Sequence, residues 1–309
     1  MKKVFIDGEA GTTGLRIRER LAARDDLVLL TLPEEKRKDA DARREMLNTA
    51  DIAFLCLPDA AAVEAVAMVE NEKTVVLDTS TAHRTDSRFV YGFPELSDDL
   101  AAAVASSKRI AVPGCHASGF IALVRPLVES GMLSTAQHLF CHSVTGYSGG
   151  GKKMIAEYEA AGRSPLLGAP RQYGLTQTHK HLREMQAICA LSSPPVFCPV
   201  VADFYSGMVV TVPLFFEDLQ GATVEDVKAL YRAKYGGAVV RYTDAADADG
   251  FLSAAALSGS DKMEIAVFGN GERILLTARY DNLGKGASGA AVECMNYALG
   301  VEPTTGLVL

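Results

Sequence analysis

The chain has 309 residues, 48% of them hydrophobic and 22% charged, with a formal net charge of -7. That length exceeds one ordinary domain and points to two, with ample material for buried cores. The acidic balance and the lack of a long basic run exclude nucleic acid as an expected partner, and no stretch reaches the ~18 apolar residues of a membrane helix. Only Val4, Phe5 and Ile6 follow the first lysines before polar residues intervene. That is too little for a signal peptide, so a cytosolic location is expected. The six cysteines are Cys56, Cys115, Cys141, Cys189, Cys198 and Cys294, with no C-x-x-C pair. Reduced thiols and no metal site are expected from that spacing.

Taken in chain order, Val4–Ile6 is a short apolar strand ending at Asp7-Gly8. A helix is predicted over about Thr13–Arg24, then strands at Val28–Leu32 and Ile52–Leu57, the latter ending at Pro58. An alanine-rich helix over about Ala60–Glu70 leads to a strand at Thr74–Leu77, and Ile110–Val112 is a further strand. These strands are continuously apolar rather than alternating, the pattern of a parallel sheet buried on both faces. Strand–helix–strand order predicts an α/β class: a Rossmann-like, doubly wound parallel sheet.

The second half reads as an α+β domain with a mixed sheet. Strands are predicted at His138–Thr145, Val196–Val201, Met208–Phe216, Val239–Tyr242, Lys262–Phe268 and Arg273–Tyr280. Gly269-Asn270-Gly271 predicts a hairpin turn between the last two. Helices are expected near 152–161, 179–190 and 223–235, and a last one over about Ala287–Leu299.

Three motifs carry chemistry. Gly8-Glu9-Ala10-Gly11-Thr12-Thr13-Gly14 joins the first strand to the first helix. Glycines there permit a tight turn and close approach of a pyrophosphate to the helix N-terminus, so Gly8, Gly11, Thr12, Thr13 and Gly14 are candidate dinucleotide contacts. Glu34 and Glu35 stand where an acidic residue would suit the ribose of NAD, and Arg37 where a base would suit the extra phosphate of NADP. Glu34, Glu35 and Asp39 also offset the short basic cluster Lys36-Arg37-Lys38. The second motif is Val112-Pro113-Gly114-Cys115, where the cysteine opens a predicted helix. A helix N-terminus stabilises a thiolate, which makes Cys115 the candidate nucleophile. The third is His179-Lys180-His181-Leu182-Arg183-Glu184, holding two of the six histidines. Either could act as a general acid–base. At i, i+2 spacing on a helix the two would not share a face.

Five segments in order resemble the shorter form of the N-acetyl-gamma-glutamyl-phosphate reductase family, which is related to aspartate-semialdehyde dehydrogenase. They are the glycine loop, Asp78-Thr79-Ser80-Thr81-Ala82-His83-Arg84, the Pro-Gly-Cys turn, Gly146-Tyr147-Ser148-Gly149-Gly150-Gly151-Lys152-Lys153 and the His-Lys-His cluster. Lys285-Gly286-Ala287-Ser288-Gly289 is similar to the family's C-terminal segment. The chain departs from the pattern at His116-Ala117, where the family often has Tyr-Pro, and at Arg183, where it usually has proline.

The resemblance implies a dinucleotide-binding domain over 1–114, completed by 286–309, and a catalytic and dimerisation domain over 115–285. It implies NADPH-dependent reduction of N-acetyl-glutamyl 5-phosphate in arginine biosynthesis, through a Cys115 thioester, with His181 as acid–base and His179 second. Pro58, Ser80, Lys285 and Gly286 join the cofactor contacts. Arg84, Ser148, Gly149 and Glu184 are the expected substrate contacts, NADP the expected cofactor ahead of NAD, and a dimer or tetramer the expected assembly. The alternatives are aspartate-semialdehyde dehydrogenase or another acyl-phosphate reductase on this fold, a catalytically silent dinucleotide-binding regulator, and a dehydrogenase with no covalent step.

Overall fold

A computed structural model describes residues 1–309. The chain divides into two compact units, one of 1–113 with 287–307 and one of 114–286 with 308–309.

The first unit is a six-stranded parallel sheet. Its strands are β1 (Lys2–Asp7), β2 (Leu27–Leu30), β3 (Ile52–Leu55), β4 (Val75–Asp78), β5 (Val90–Tyr91) and β6 (Arg109–Ala111), in the order β2-β1-β3-β4-β6-β5. Helices α1 (Thr12–Leu21), α2 (Ala40–Thr49), α3 (Asp59–Met68) and α4 (Asp98–Ser106) connect them. The helix Gly289–Leu299 also packs in this unit. The continuous apolar runs are explained by alternate residues going to opposite faces. Val4, Ile6, Ile52, Phe54, Val75 and Leu77 enter one core, with Ile17, Leu21, Ala291 and Met295. Phe5, Ala53, Leu55 and Val76 enter the other, with Leu47 and Ala65. Each fully buried side chain of this kind contributes roughly 1.5–3 kcal/mol. Because β2 and β3 flank β1, the strand order reverses there, and ligands bind at the carboxyl ends of such a switch point.

The second unit opens with α5 (Cys115–Glu129), followed by β7 (Phe140–Gly146), α6 (Gly151–Glu159), β8 (Arg171–Gln172), α7 (His181–Ile188), β9 (Val196–Ala202), β10 (Met208–Phe215), α8 (Val224–Lys234), β11 (Val240–Tyr242), β12 (Met263–Gly269) and β13 (Arg273–Tyr280). The seven strands form one mixed sheet, β11-β12-β13-β10-β7-β9-β8. The expected hairpin joins β12 to β13, with Asn270 N donating to Arg273 O at 2.9 Å. Helix α5 lies so close to the sheet that a Cβ on Gly119 would stand 2.8 Å from Val210 Cβ. The opposite face of the sheet carries Phe140, Val196, Phe215 and Leu275, all exposed.

Two expectations change. The helix predicted over 179–190 begins at His181, so His179 lies in the preceding turn. The basic cluster is offset differently: Arg37 pairs with Glu9 of the glycine loop at 2.8 Å, not with Glu34 or Glu35. No helix is long and apolar enough to cross a membrane.

Candidate active site

In the first unit the glycine loop wraps the end of β1. Gly8 has φ +85°, and a Cβ there would meet Cys56 O at 2.3 Å. Only glycine fits that close approach. A Cβ on Gly14 would meet Gly8 O at 2.6 Å. Gly11 caps α1, which begins at Thr12 and Thr13. A cleft of about 670 Å³ opens here, lined by Gly8, Glu9, Ala10, Glu34, Arg37 and Lys38 among others. Beneath it, Arg43 from α2 donates to buried Asp7 from Nη2 (2.9 Å) and Nε (3.0 Å). Burial raises the Asp7 pKa and the Arg43 hydrogen bonds oppose that rise. Glu9 grips Arg18 (3.1 Å) as well as Arg37. The Arg37 Nε–H is buried and has no acceptor within the protein. A loop that admits no Cβ at Gly8 or Gly14 and an orphaned guanidinium donor fit a phosphate-bearing dinucleotide in this cleft.

At the end of β4, Asp78 accepts from Ser80 Oγ (2.7 Å) and pairs with His83 Nδ1 (2.6 Å). Arg84 is buried, and donates to Val112 O from Nε and to Thr79 O from Nη2, both at 2.9 Å. It ties the ends of β4 and β6 together. Pro58 is the N-cap of α3.

In the second unit Cys115 is the first residue of α5, with Gly114 as N-cap. The Gly114 amide donates to Glu184 Oε1 at 2.8 Å, so α7 fixes the turn that presents the cysteine. From the other side, the Tyr280 hydroxyl accepts from Gly119 N (3.0 Å) and donates to Cys115 O. Gly286 faces Cys115 directly: a Cβ there would stand 3.1 Å from Cys115 Cβ. Lys285 and Gly286 therefore stand in the unit of the cysteine rather than that of the glycine loop. Ser148 and Gly149 lie in a turn after β7, where Ser148 Oγ accepts from Asn282 Nδ2 at 3.0 Å.

The two histidines meet, against the helical expectation. Because His179 precedes the helix, its ring packs edge-on to that of His181, with centroids 4.7 Å apart. His179 Nδ1 accepts from the His181 amide at 3.2 Å. A third ring that motif reading passed over completes the group: His116 lies 5.9 Å from His179 and 5.7 Å from His181. The three are not placed to hold a metal ion. The only sequence signal for His116 was its departure from the family's usual tyrosine.

Burial, then the nearby His179, lowers the His116 pKa to about 3. Burial and Lys180 lower that of His179 as well. A ring kept neutral in the fold but protonated once unfolded makes the denatured state the greater proton binder. Stability from His116 is therefore complete above its ordinary value of 6.5 and is lost as pH falls towards about 3, at up to ~1.4 kcal/mol per pH unit. Urea unfolding of His116→Leu should show this: its deficit against wild type shrinks as pH drops from 7 to 4. A deficit independent of pH would contradict the assignment.

The semialdehyde dehydrogenase NAD-binding domain matches residues 19–103, and the semialdehyde dehydrogenase dimerisation domain matches residues 115–282. The N-acetyl-gamma-glutamyl-phosphate reductase of Rhizobium meliloti is 46% identical over 305 residues, covering 96% of this chain and 98% of that protein. The N-acetyl-gamma-glutamyl-phosphate reductase 2 of a Nostoc species is 44% identical, covering 99% of each. Among solved structures, aspartate semialdehyde dehydrogenase II of Vibrio cholerae superposes with a TM-score of 0.73 at 18% identity, covering 97% of this chain and 98% of that one. At that identity the likeness speaks for the fold alone.

Proposed function

Because the chain belongs to the N-acetyl-gamma-glutamyl-phosphate reductase family, we propose that it reduces N-acetyl-glutamyl 5-phosphate to the 5-semialdehyde, releasing phosphate, as a step of arginine biosynthesis. It is an oxidoreductase with an NAD-binding domain. The observation that carries the mechanism is Cys115 at the start of a buried helix, its turn fixed by Glu184 and its neighbour His116 packed against two further histidines.

The Cys115 thiolate attacks the acyl carbon, the bond to the phosphate oxygen breaks, and phosphate leaves with that electron pair. A thioester remains on the protein. Gly8, Gly11, Thr12, Thr13, Gly14 and Arg37 would hold NADPH in the cleft of the first unit, and the coenzyme would supply the hydride that reduces the thioester. His181, or His179 as the second candidate, takes the thiol proton and returns it to the oxyanion. The thiohemiacetal then collapses to aldehyde and thiol. Arg84, Ser148, Gly149 and Glu184 remain the proposed substrate contacts, with Glu184 also orienting the nucleophile. NADP is favoured over NAD because Arg37 offers a buried donor to a 2′-phosphate, whereas Glu34 and Glu35 are exposed. The exposed apolar sheet face supports a homo-oligomer, read as a solution mass that is a multiple of the chain's.

The reverse reaction tests the reading. N-acetyl-glutamate semialdehyde, phosphate and NADP⁺ should give reduced nicotinamide, with NAD⁺ weaker. Signal with aspartate semialdehyde alone would assign the chain to the sister reaction instead.

A further inference from the structure

His116 follows Cys115 in the chain, is 3% exposed, and has both ring nitrogens in short hydrogen bonds. Nδ1 lies 2.7 Å from Ser143 Oγ, and Nε2 lies 2.7 Å from the Tyr173 hydroxyl. A neutral imidazole has one donor nitrogen and one acceptor nitrogen. Ser143 decides which is which. It is fully buried on β7, and its hydroxyl has His116 Nδ1 as its sole hydrogen-bond partner. A buried hydroxyl without an acceptor costs about 1–3 kcal/mol, so Ser143 donates to Nδ1. The ring proton then sits on Nε2, and Nε2–H donates to the Tyr173 oxygen.

That assignment fixes the phenol. Tyr173 accepts from His116, so its own O–H is turned away from the imidazole. The main chain of Tyr173 is anchored on β9, its N donating to Pro199 O at 3.0 Å, and its ring stands 6.2 Å from those of His116 and His179. Burial and the charge of Cys115 both push the Tyr173 pKa up. The phenol thus stays protonated and lies within the field of the cysteine.

We propose that Tyr173 is a further catalytic residue, a fixed donor to the acyl oxygen of the group carried on Cys115, and that His116 and Ser143 are positioning residues that aim it. No proton leaves the phenol. The hydrogen bond strengthens as negative charge develops on the acyl oxygen. The proposal rests on the thioester reading of Cys115.

A double-mutant cycle tests it. Tyr173→Phe should lower kcat ~10²-fold with little change in KM, the behaviour of a donor engaged mainly in the transition state. His116→Leu should lower kcat about 10-fold or more when Tyr173 is present and add nothing in the Tyr173→Phe background. His116→Gln, which retains a donor, should recover part of the loss. Should His116→Leu fail to fold, Ser143→Ala replaces it in the same cycle, with its loss again confined to the Tyr173 background. Independent losses, or a Tyr173→Phe effect on KM alone, would overturn the proposal. A phosphate burst from wild type without coenzyme separates the two levels. A burst with additive losses removes Tyr173 only, while no burst removes the thioester and the proposal with it.

Discussion

Cys115→Ser is expected to lower turnover at least ~10³-fold while leaving coenzyme affinity unchanged. A serine hydroxyl fits the space of the thiol, so the turn held by Glu184 and Tyr280 stays in place. What is lost is the proposed nucleophile. A helix N-terminus and a neighbouring base can bring a thiol to its thiolate near neutral pH, but an alcohol remains protonated there. Coenzyme affinity should not move, because the glycine loop and Arg37, the proposed phosphate contacts, make no use of the thiol. Fluorescence titration with NADPH beside steady-state rates makes the separation. Near-normal activity in Cys115→Ser would remove the covalent mechanism and favour direct hydride transfer.

Arg43→Leu is expected to destabilise the first unit by about 3–5 kcal/mol. Asp7 and Arg43 are both nearly buried, and the guanidinium meets the carboxylate through two nitrogens. Removing the cation leaves a buried carboxylate with its main partner gone. Burial already raises the Asp7 pKa against the opposing pull of Arg43, so the variant should raise it further. A carboxyl group whose folded pKa is raised contributes stability below its unfolded pKa and loses it as pH rises through the folded value. The deficit of Arg43→Leu should therefore be smaller at pH 4 than at pH 7, and Asp7→Asn in the same chain should restore part of it. Equal urea midpoints for the single and double variants at pH 7 would contradict this account. Because Asp7 precedes Gly8, weaker NADPH binding should accompany the loss.

The parallel sheet was legible because Val4–Ile6, Ile52–Leu55 and Val75–Leu77 are apolar on consecutive residues, which only burial on two faces explains. Helix α2 was not. Four of its ten residues are charged, and just Arg43 and Leu47 are buried, so it carries almost no apolar stripe. Cys115 at a helix start was readable from Pro113-Gly114 and matches the observed first turn. The meeting of His179 with His181 was hidden, because helical periodicity applied to that segment would separate them. Their contact depends on where the helix begins, a matter of one turn. The Ser143–His116–Tyr173 chain joins residues 27 and 57 positions apart and has no local signature at all.

The most direct measurement is mass spectrometry of the protein mixed with N-acetyl-glutamyl phosphate in the absence of coenzyme and quenched in acid. An N-acetyl-glutamyl adduct on the peptide containing Cys115, lost on adding NADPH before the quench, is the predicted result. An unmodified Cys115 under conditions of full turnover, or an adduct on another residue, would contradict the thioester.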